Sequence, residues 1–220
     1  MINILEDYIW KSIPDEMFHT NQNLRKKADE NGKILPYKGN TVVFLLDDDT
    51  KDFLEELQKE LYEAVPQMFS EKLERDTFHM TLHSLVDGKP EEEGLSERMA
   101  AAEEKAREIL ARWKDAPPLR MKATWMFNMV HTSIVLGLMP DGEDDSWQRL
   151  DELYCALQEA APLGDLCPHI TLAYYRPGVY SEEEAEQLRR ALHPVEKEVM
   201  LRMENLVIQN FDDMNHYRTV

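Results

Sequence analysis

Apolar positions along the chain follow two spacings, and the change from one to the other marks the predicted elements. A continuous apolar run at 41–46 is typical of a buried strand, and it is followed by acidic turn residues and by a helical pattern over about 51–68. A second helical pattern covers 96–113, and a strand-like run covers 119–129. The mixture of short strands and amphipathic helices predicts an α+β fold.

The same order of patterns returns about ninety residues later. The returning patterns are a strand, two helices and a strand, over 132–138, 146–160, 181–192 and 199–211. With one further strand in the middle of each set, the chain reads as two copies of strand, helix, strand, helix, strand. We therefore expect a single domain over 39–220, a duplicated unit with antiparallel sheets around a central cleft. Its two lobes should cover about 39–129 and 130–211.

An N-terminal extension, residues 1–38, lies outside the repeat. Its apolar positions with helical spacing are Ile4, Leu5, Tyr8 and Ile9. The pair Asn31-Gly32 predicts a turn before the first strand. The extension either braces one lobe or covers part of the cleft, and the tail from Met214 onward either adds an edge strand or frays.

The middle strand of each copy carries the tetrapeptide His-x-Thr-apolar. The two copies are His79-Met80-Thr81-Leu82 and His169-Ile170-Thr171-Leu172. Residues i and i+2 of a strand point to the same face, so each histidine shares a surface with its own threonine. If the two strands are neighbours, one cleft receives all four polar side chains.

These four side chains suit acid/base chemistry on a phosphate ester. Hydrolysis of a phosphate ester needs a base that takes a proton from water and an acid that protonates the departing oxygen. Histidine, with an ordinary pKa near 6.5, can fill either role at neutral pH, and threonine hydroxyls can donate hydrogen bonds to the other phosphate oxygens. We predict His79 and His169 as the catalytic pair and Thr81 and Thr171 as phosphate-binding residues. Which histidine is the base depends on how the substrate lies.

The paired motifs within a duplicated α+β unit resemble the 2H phosphoesterase superfamily, and the likeness covers roughly 39–211. The stretch 32–43 also resembles the opening of a bacterial and fungal branch of that superfamily. The superfamily includes cyclic nucleotide phosphodiesterases, an RNA 2′,3′-cyclic phosphodiesterase that also ligates tRNA halves, and enzymes that trim RNA 3′ ends. The resemblance therefore implies a two-lobed fold, a phosphodiesterase activity without a metal or cofactor, and the two histidines as acid and base.

Three neighbouring residues are candidates for substrate binding. By alternation along the strands, His83 shares the face of the first motif and Tyr175 shares the face of the second. Some members of the superfamily have a tyrosine five residues after the second histidine, which here is Tyr174. Alternation points Tyr174 to the opposite face unless a bulge intervenes. Both tyrosines therefore stay candidates for base stacking or phosphate contact.

The net charge of −18, from 25 basic and 43 acidic residues, argues against binding long duplex nucleic acid, because that affinity comes largely from phosphate neutralisation by Lys and Arg. A small nucleotide or an RNA terminus remains compatible, since one pocket can be locally positive. The acidic runs at 47–49, 91–93 and 182–184 lie at predicted turns and helix starts, where negative charge favours the helix dipole. We expect no metal site there and no cofactor.

No apolar run reaches the length of a membrane span, and the first residues lack the basic start of a signal peptide. We therefore expect a cytoplasmic monomer without membrane contact. Two functions stay open on this scaffold. The first is a phosphodiesterase that hydrolyses a 2′,3′-cyclic phosphate or a related nucleotide or RNA-end ester, and the second is a nucleotide-binding or regulatory protein with little turnover.

Overall fold

An eight-stranded antiparallel sheet organises the chain, whose computed structural model describes residues 16–142 and 144–220. The strands are β1 (Phe18–His19), β2 (Lys38–Leu45), β3 (His79–Gly88), β4 (Leu119–Met129), β5 (Ser133–Pro140), β6 (His169–Tyr174), β7 (Val179–Tyr180), β8 (Pro194–Leu201), β9 (Leu206–Asp213) and β10 (His216–Thr219). The helices are α1 (Asp48–Ala64), α2 (Leu95–Ala111), α3 (Ser146–Leu157) and α4 (Glu182–Ala191). The strand order is β10-β9-β2-β3-β6-β5-β4-β8, and β1 pairs with β7 in a separate small sheet. The predicted α+β fold with antiparallel sheets is confirmed.

The two copies of the repeat are joined in the middle of the sheet, where β3 pairs with β6. Each copy also sends a strand into the other copy, because β4 pairs with β5 and β9 pairs with β2. The division into lobes at about 129 and 130 stays a prediction. The prediction of one strand over 199–211 is wrong, since a 3-10 turn at Met203–Asn205 separates β8 from β9. This turn contains a buried methionine and no glycine or proline, so it carries neither of the residues that most often mark a break between strands.

The helices begin where the acidic runs were expected to place them. Asp47 caps α1, with its side-chain oxygen accepting a hydrogen bond of 2.8 Å from the backbone N–H of Thr50. Ser181 and Glu184 form a capping box at the start of α4. The buried side of α1 includes apolar residues with helical spacing, Leu54, Leu57 and Leu61. The carboxylates in the first turns thus stabilise helix termini.

The helices pack against one large core, and this determines which face of β3 and β6 stays open. Met80 and Leu82 on β3, and Ile170 and Leu172 on β6, are all buried in that core. Helices α2 and α3 contact β3, and α1 contacts β6. Residues that alternate with these apolar side chains, His79 among them, therefore lie on the other face of the sheet.

The N-terminal extension is anchored within its described part. Phe18, Leu24 and Ala28 are buried, and the predicted turn is present: the N–H of Gly32 donates to the carbonyl of Asp29 at 3.0 Å. Gly32 has a φ of +84°, a conformation that glycine adopts without strain. The helical spacing expected near the start of the chain lies outside the described residues. At the other end, the tail forms the edge strand β10.

Helices that are both long and apolar enough to cross a membrane do not occur in the described part of the chain.

Candidate active site

The two histidine motifs lie side by side on the central strands of the sheet. Met80 is paired with Ile170 in antiparallel register. This register brings His79 towards Thr171 and Thr81 towards His169, so each histidine faces the threonine of the other motif. Burial and, to a smaller extent, the nearby His169 lower the pKa of His79. The structure therefore brings all four motif residues together.

Each motif strand carries a one-residue bulge directly after its threonine. In the pairing of β2 with β3, Val43 lies opposite Thr81 and Val42 lies opposite His83, so Leu82 is the extra residue. In the pairing of β5 with β6, the same irregularity makes Leu172 the extra residue. A bulge reverses the alternation of the residues that follow it. The side chains that reach the cleft beyond the bulges are those of Ser84 and Tyr174.

The bulge corrects the expectation for His83. This residue is buried rather than exposed on the face of the first motif, and its ring centroid lies 5.2 Å from that of Tyr154 on α3. Its Nδ1 lies 2.9 Å from the carbonyl oxygen of Ser84. The alternation argument failed because it assumed a regular strand. His83 does not line the cleft.

The second bulge separates the two tyrosine candidates. Tyr174 lines the cleft, as the superfamily pattern implied. Tyr175 is fully buried, with ring centroids of Phe69 and Phe18 at 5.8 and 5.7 Å, and burial raises its pKa. The expectation that Tyr175 faces the substrate is wrong, because the extra residue Leu172 turns it into the core.

Both catalytic candidates are oriented in the same way. Nδ1 of His79 lies 2.7 Å from the carbonyl oxygen of Thr77, and Nδ1 of His169 lies 2.7 Å from that of Cys167. Because a carbonyl oxygen only accepts hydrogen bonds, Nδ1 carries the proton in each neutral ring. Nε2 is then left with a free lone pair in both rings. Each imidazole can take or give a proton at that atom.

Burial lowers the pKa of both histidines. The pKa of His79 falls to about 4, first through burial and then through the positive charges of His169 and Lys27, against a rise from the hydrogen bond to Thr77. The pKa of His169 is lowered by burial and by Lys27, against a rise from its bond to Cys167. Both rings are therefore neutral at pH 7 in the unliganded site.

The cleft beside the motifs is small and mostly polar, with a volume of about 120 Å³. Its lining includes Lys27, Tyr37, Thr41, Thr77, His79, Thr81, Ser84, Asp87, Thr171, Tyr174, Phe211 and Tyr217. The ring of Tyr217, on β10, meets that of His79 edge-on with centroids 4.9 Å apart. The hydroxyl of Tyr37 donates to the carboxylate of Asp87, and its pKa is raised by burial and by that bond.

Several of these lining residues were not identified from the sequence, among them Lys27, Tyr37, Ser84 and Tyr217. Alignment of the two repeats in sequence contains a signal for Ser84. Ser84 comes five residues after His79, just as Tyr174 comes five residues after His169. The other three belong to the extension and the tail, so no internal repeat points to them. The described extension therefore does both things that were considered, since it packs into the core and also reaches the cleft.

On the same face of the sheet, β4 and β5 carry a second, apolar cluster. Phe127 pairs with Val135, and Val135 pairs with Thr171, so the three side chains share the cleft side of the sheet. Phe127 and Val135 are buried with Cys167, and the surrounding partly exposed residues are Trp125, Met129 and Met139. No group of three or more His, Cys, Asp or Glu side chains arranged to hold a metal ion occurs within 16–142 and 144–220.

No protein-family model matches the chain, and no curated protein matches it either. Among solved structures, the fold is similar to that of the conserved protein of unknown function Atu0111 from Agrobacterium tumefaciens, with a TM-score of 0.62, 19% identity, and coverage of 92% of this chain and 93% of that one. TT0787 of Thermus thermophilus is also similar, with a TM-score of 0.47, 15% identity, and coverage of 83% and 94%. LigT of E. coli is similar as well, with a TM-score of 0.45, 13% identity, and coverage of 84% of this chain and 95% of that one.

The fold found here, with paired His-x-Thr motifs on its two central strands, matches the one that the motifs implied. The likeness of the chain to solved structures concerns the fold alone.

Proposed function

We propose that the protein is a metal-independent phosphodiesterase that hydrolyses a 2′,3′-cyclic phosphate or a related phosphoester of a nucleotide or an RNA end. The observation that carries this proposal is the matched orientation of two imidazoles on neighbouring strands. In both, the bond from Nδ1–H to the carbonyl two residues earlier leaves Nε2 free for proton transfer. Two such groups on paired strands supply the base and the acid that this hydrolysis needs.

In the proposed reaction, Nε2 of one histidine takes a proton from a water molecule while the water oxygen forms a bond to phosphorus. Nε2–H of the other histidine gives its proton to the sugar oxygen as the bond from that oxygen to phosphorus breaks. The products are a phosphomonoester and a free hydroxyl group. The hydroxyls of Thr81 and Thr171 donate to the phosphate oxygens that keep their bonds to phosphorus.

The acid needs a proton that the unliganded site does not hold, because both histidine pKa values are lowered. A bound phosphate anion raises the pKa of each nearby imidazole, since opposite charges stabilise the protonated form. The substrate thus brings the site into the singly protonated state in which acid and base are both present.

The surroundings of the motifs support a small organic phosphate. Tyr174 and Tyr217 offer aromatic surface at the cleft, and the cluster around Phe127 extends the same face with apolar side chains. The net charge of −18 disfavours long nucleic acids, which require broad phosphate neutralisation. We propose a nucleotide or an RNA terminus as the substrate of a monomeric, cytoplasmic enzyme without a cofactor.

One observation favours the alternative of a nucleotide-binding or regulatory protein with little turnover. Neither histidine is in the protonated imidazolium form at neutral pH, because burial lowers the pKa of both. A ligand that fails to raise either pKa would be bound and left uncleaved. The two functions differ in whether product forms, and one assay separates them.

The test is hydrolysis of a panel of 2′,3′-cyclic mononucleotides and 2′-5′ dinucleotides in EDTA by the wild type and by His79→Gln and His169→Gln. We expect turnover that survives the chelator and falls by about 100- to 10,000-fold in each variant. His193→Gln is the matched control, because His193 contacts Glu60 of α1 on the helical side. Turnover that is indifferent to both motif substitutions contradicts the proposal, and binding without product from any ester supports the alternative.

A further inference from the structure

Lys27 is held in place by the N-terminal extension on both sides of its backbone. It follows a 3-10 helix at Gln22–Lys26, and its N–H donates to the carbonyl of Leu24 at 2.8 Å. Its carbonyl accepts a bond of 2.9 Å from the N–H of Leu35. The neighbours Leu24 and Ala28 are fully buried and fix the segment on the core. The position of the lysine is therefore determined by packing.

The side chain of Lys27 reaches the cleft between two tyrosines. Nζ lies 3.4 Å from the hydroxyl oxygen of Tyr174, 5.0 Å from the centroid of that ring and 6.0 Å from the centroid of Tyr37. Within the described residues, no carboxylate forms a salt bridge with it. Asp87, the acidic residue of the cleft lining, is engaged by the hydroxyl of Tyr37 instead.

Lys27 also supplies the positive charge that the motifs do not. Of the described residues that line the cavity, it is the one with a cationic side chain. The motif threonines are uncharged, and both histidines are neutral at pH 7. Lys27 lines the same cavity as His79, Thr81 and Thr171, so its ammonium stands near the point where an anion held by these side chains would lie.

We propose that Lys27 is the anion-binding residue of the cleft and that its ammonium contacts a non-bridging oxygen of the phosphate held between the two motifs. The part that this contact plays in catalysis rests on the proposed function. The binding of an anion is nevertheless measurable without turnover. Because Lys27 comes from outside the duplicated unit, its contact gives one side of the phosphate a charged partner and removes the equivalence of the two motifs. The phosphate is thereby held in one orientation.

The test is the affinity for inorganic phosphate, measured by calorimetry on the full chain as wild type, Lys27→Met, Lys27→Arg and Lys26→Met. Methionine keeps the packing length without charge, and Lys26 is an exposed lysine next in sequence. We expect binding to weaken about 10- to 100-fold in Lys27→Met, as for the loss of a charge-assisted hydrogen bond, and to stay within about threefold in the other two variants. Wild type that does not bind phosphate, or Lys27→Met that binds it equally well, overturns the proposal.

A second readout separates charge from structure. NMR titration of the ring protons follows the pKa values of His79 and His169. Loss of the charge in Lys27→Met should raise both pKa values, whereas Lys27→Arg should leave both unchanged. A purely structural lysine would leave both titrations unmoved, and that result also overturns the proposal. If phosphate affinity falls in Lys27→Met while no ester of the panel is cleaved by the wild type, the anion site stands and the proposed hydrolysis fails.

Discussion

Ser84 and Tyr174 hold the same place in the two repeats: each follows its histidine by five residues, and each reaches the cleft because a leucine is bulged out of the regular pairing. The repeat has therefore kept its irregularity together with its motif. The two positions carry side chains of different size and reach, and the ammonium of Lys27 lies within hydrogen-bond distance of the hydroxyl of Tyr174. The cleft is symmetric in its backbone and asymmetric in its chemistry.

The bulge predicts opposite outcomes for two adjacent tyrosines. Tyr174→Phe removes a hydroxyl that faces the cleft, so we expect substrate affinity to fall by about 3- to 10-fold with little change in stability. Tyr175→Phe removes a buried hydroxyl that has no hydrogen-bond partner among the described residues. We expect that variant to keep full activity and to gain 0 to about 1 kcal/mol in the free energy of unfolding. Steady-state kinetics and urea unfolding measure the two effects, and equal losses of activity in both would contradict the assignment.

The hydroxyls of the two motif threonines are expected to act on the rate. Thr81→Val and Thr171→Val keep the shape of the side chain and remove the donor to the phosphate, so kcat should fall about 100-fold in each. Thr41→Val is the control: Thr41 also lines the cleft, but its hydroxyl already donates to the carbonyl of His83 at 3.1 Å. We expect that variant to lose about 1 kcal/mol of stability and to keep its rate. A rate that is unchanged in both motif variants rules out the hydroxyls as phosphate donors.

Sequence patterning predicted the elements because their signals are local. The acidic runs marked helix starts, and the repeat identified the two motif strands, which the structure pairs with each other. Sequence patterning failed at His83 and Tyr175, because both positions were placed by strict alternation. An extra residue precedes each of them, Leu82 in the first case and Leu172 in the second. A bulge depends on the pairing partner, and the alternating pattern contains no mark of it.

The rest of the cleft depends on contacts between distant parts of the chain. Lys27 and Tyr217 belong to opposite ends of the chain and to no repeat, yet both line the same cavity. The order of elements along the chain also does not reveal that strands pair between the two copies. Strand β4 of the first copy pairs with β5 of the second, and β9 of the second copy pairs with β2 of the first. Local periodicity identifies elements, and only the folded sheet identifies their neighbours.

Gly39 is predicted to be intolerant of any side chain. A Cβ there would lie 2.4 Å from the carbonyl oxygen of Val86 on β3 and 2.5 Å from Cζ of Phe211 on β9. Since β2 is paired on both sides, the strand cannot move away from either neighbour, and we expect Gly39→Ala to lose about 1–3 kcal/mol of unfolding free energy. At Gly164 an added Cβ would have no neighbouring side chain or backbone within 4 Å, so Gly164→Ala should change the free energy of unfolding by less than about 0.5 kcal/mol. Similar unfolding curves for the two variants would disprove the close approach.

His79 is expected to make the folded state sensitive to mild acid. Its pKa is about 4 in the folded protein, below the ordinary value of 6.5 that it regains on unfolding. Between these values the unfolded chain binds a proton that the folded chain does not, so the free energy of unfolding falls as the pH falls. At about 1.4 kcal/mol per pH unit, this residue removes at most about 2 kcal/mol between pH 6.5 and pH 5.

Urea unfolding of the wild type and of His79→Gln at pH 7.5 and pH 5 measures this effect. The carboxylates titrate alike in the two proteins, so the difference between them isolates His79, and the advantage of the wild type over His79→Gln should shrink at pH 5. His216 provides a control of opposite sign, because its hydrogen bond to Asp213 raises its pKa. The contribution of that residue is present below pH 6.5 and is lost as the pH rises, so the advantage of the wild type over His216→Gln should grow at pH 5. If the two differences move in the same direction with pH, the neutral state of His79 in the unliganded site is wrong.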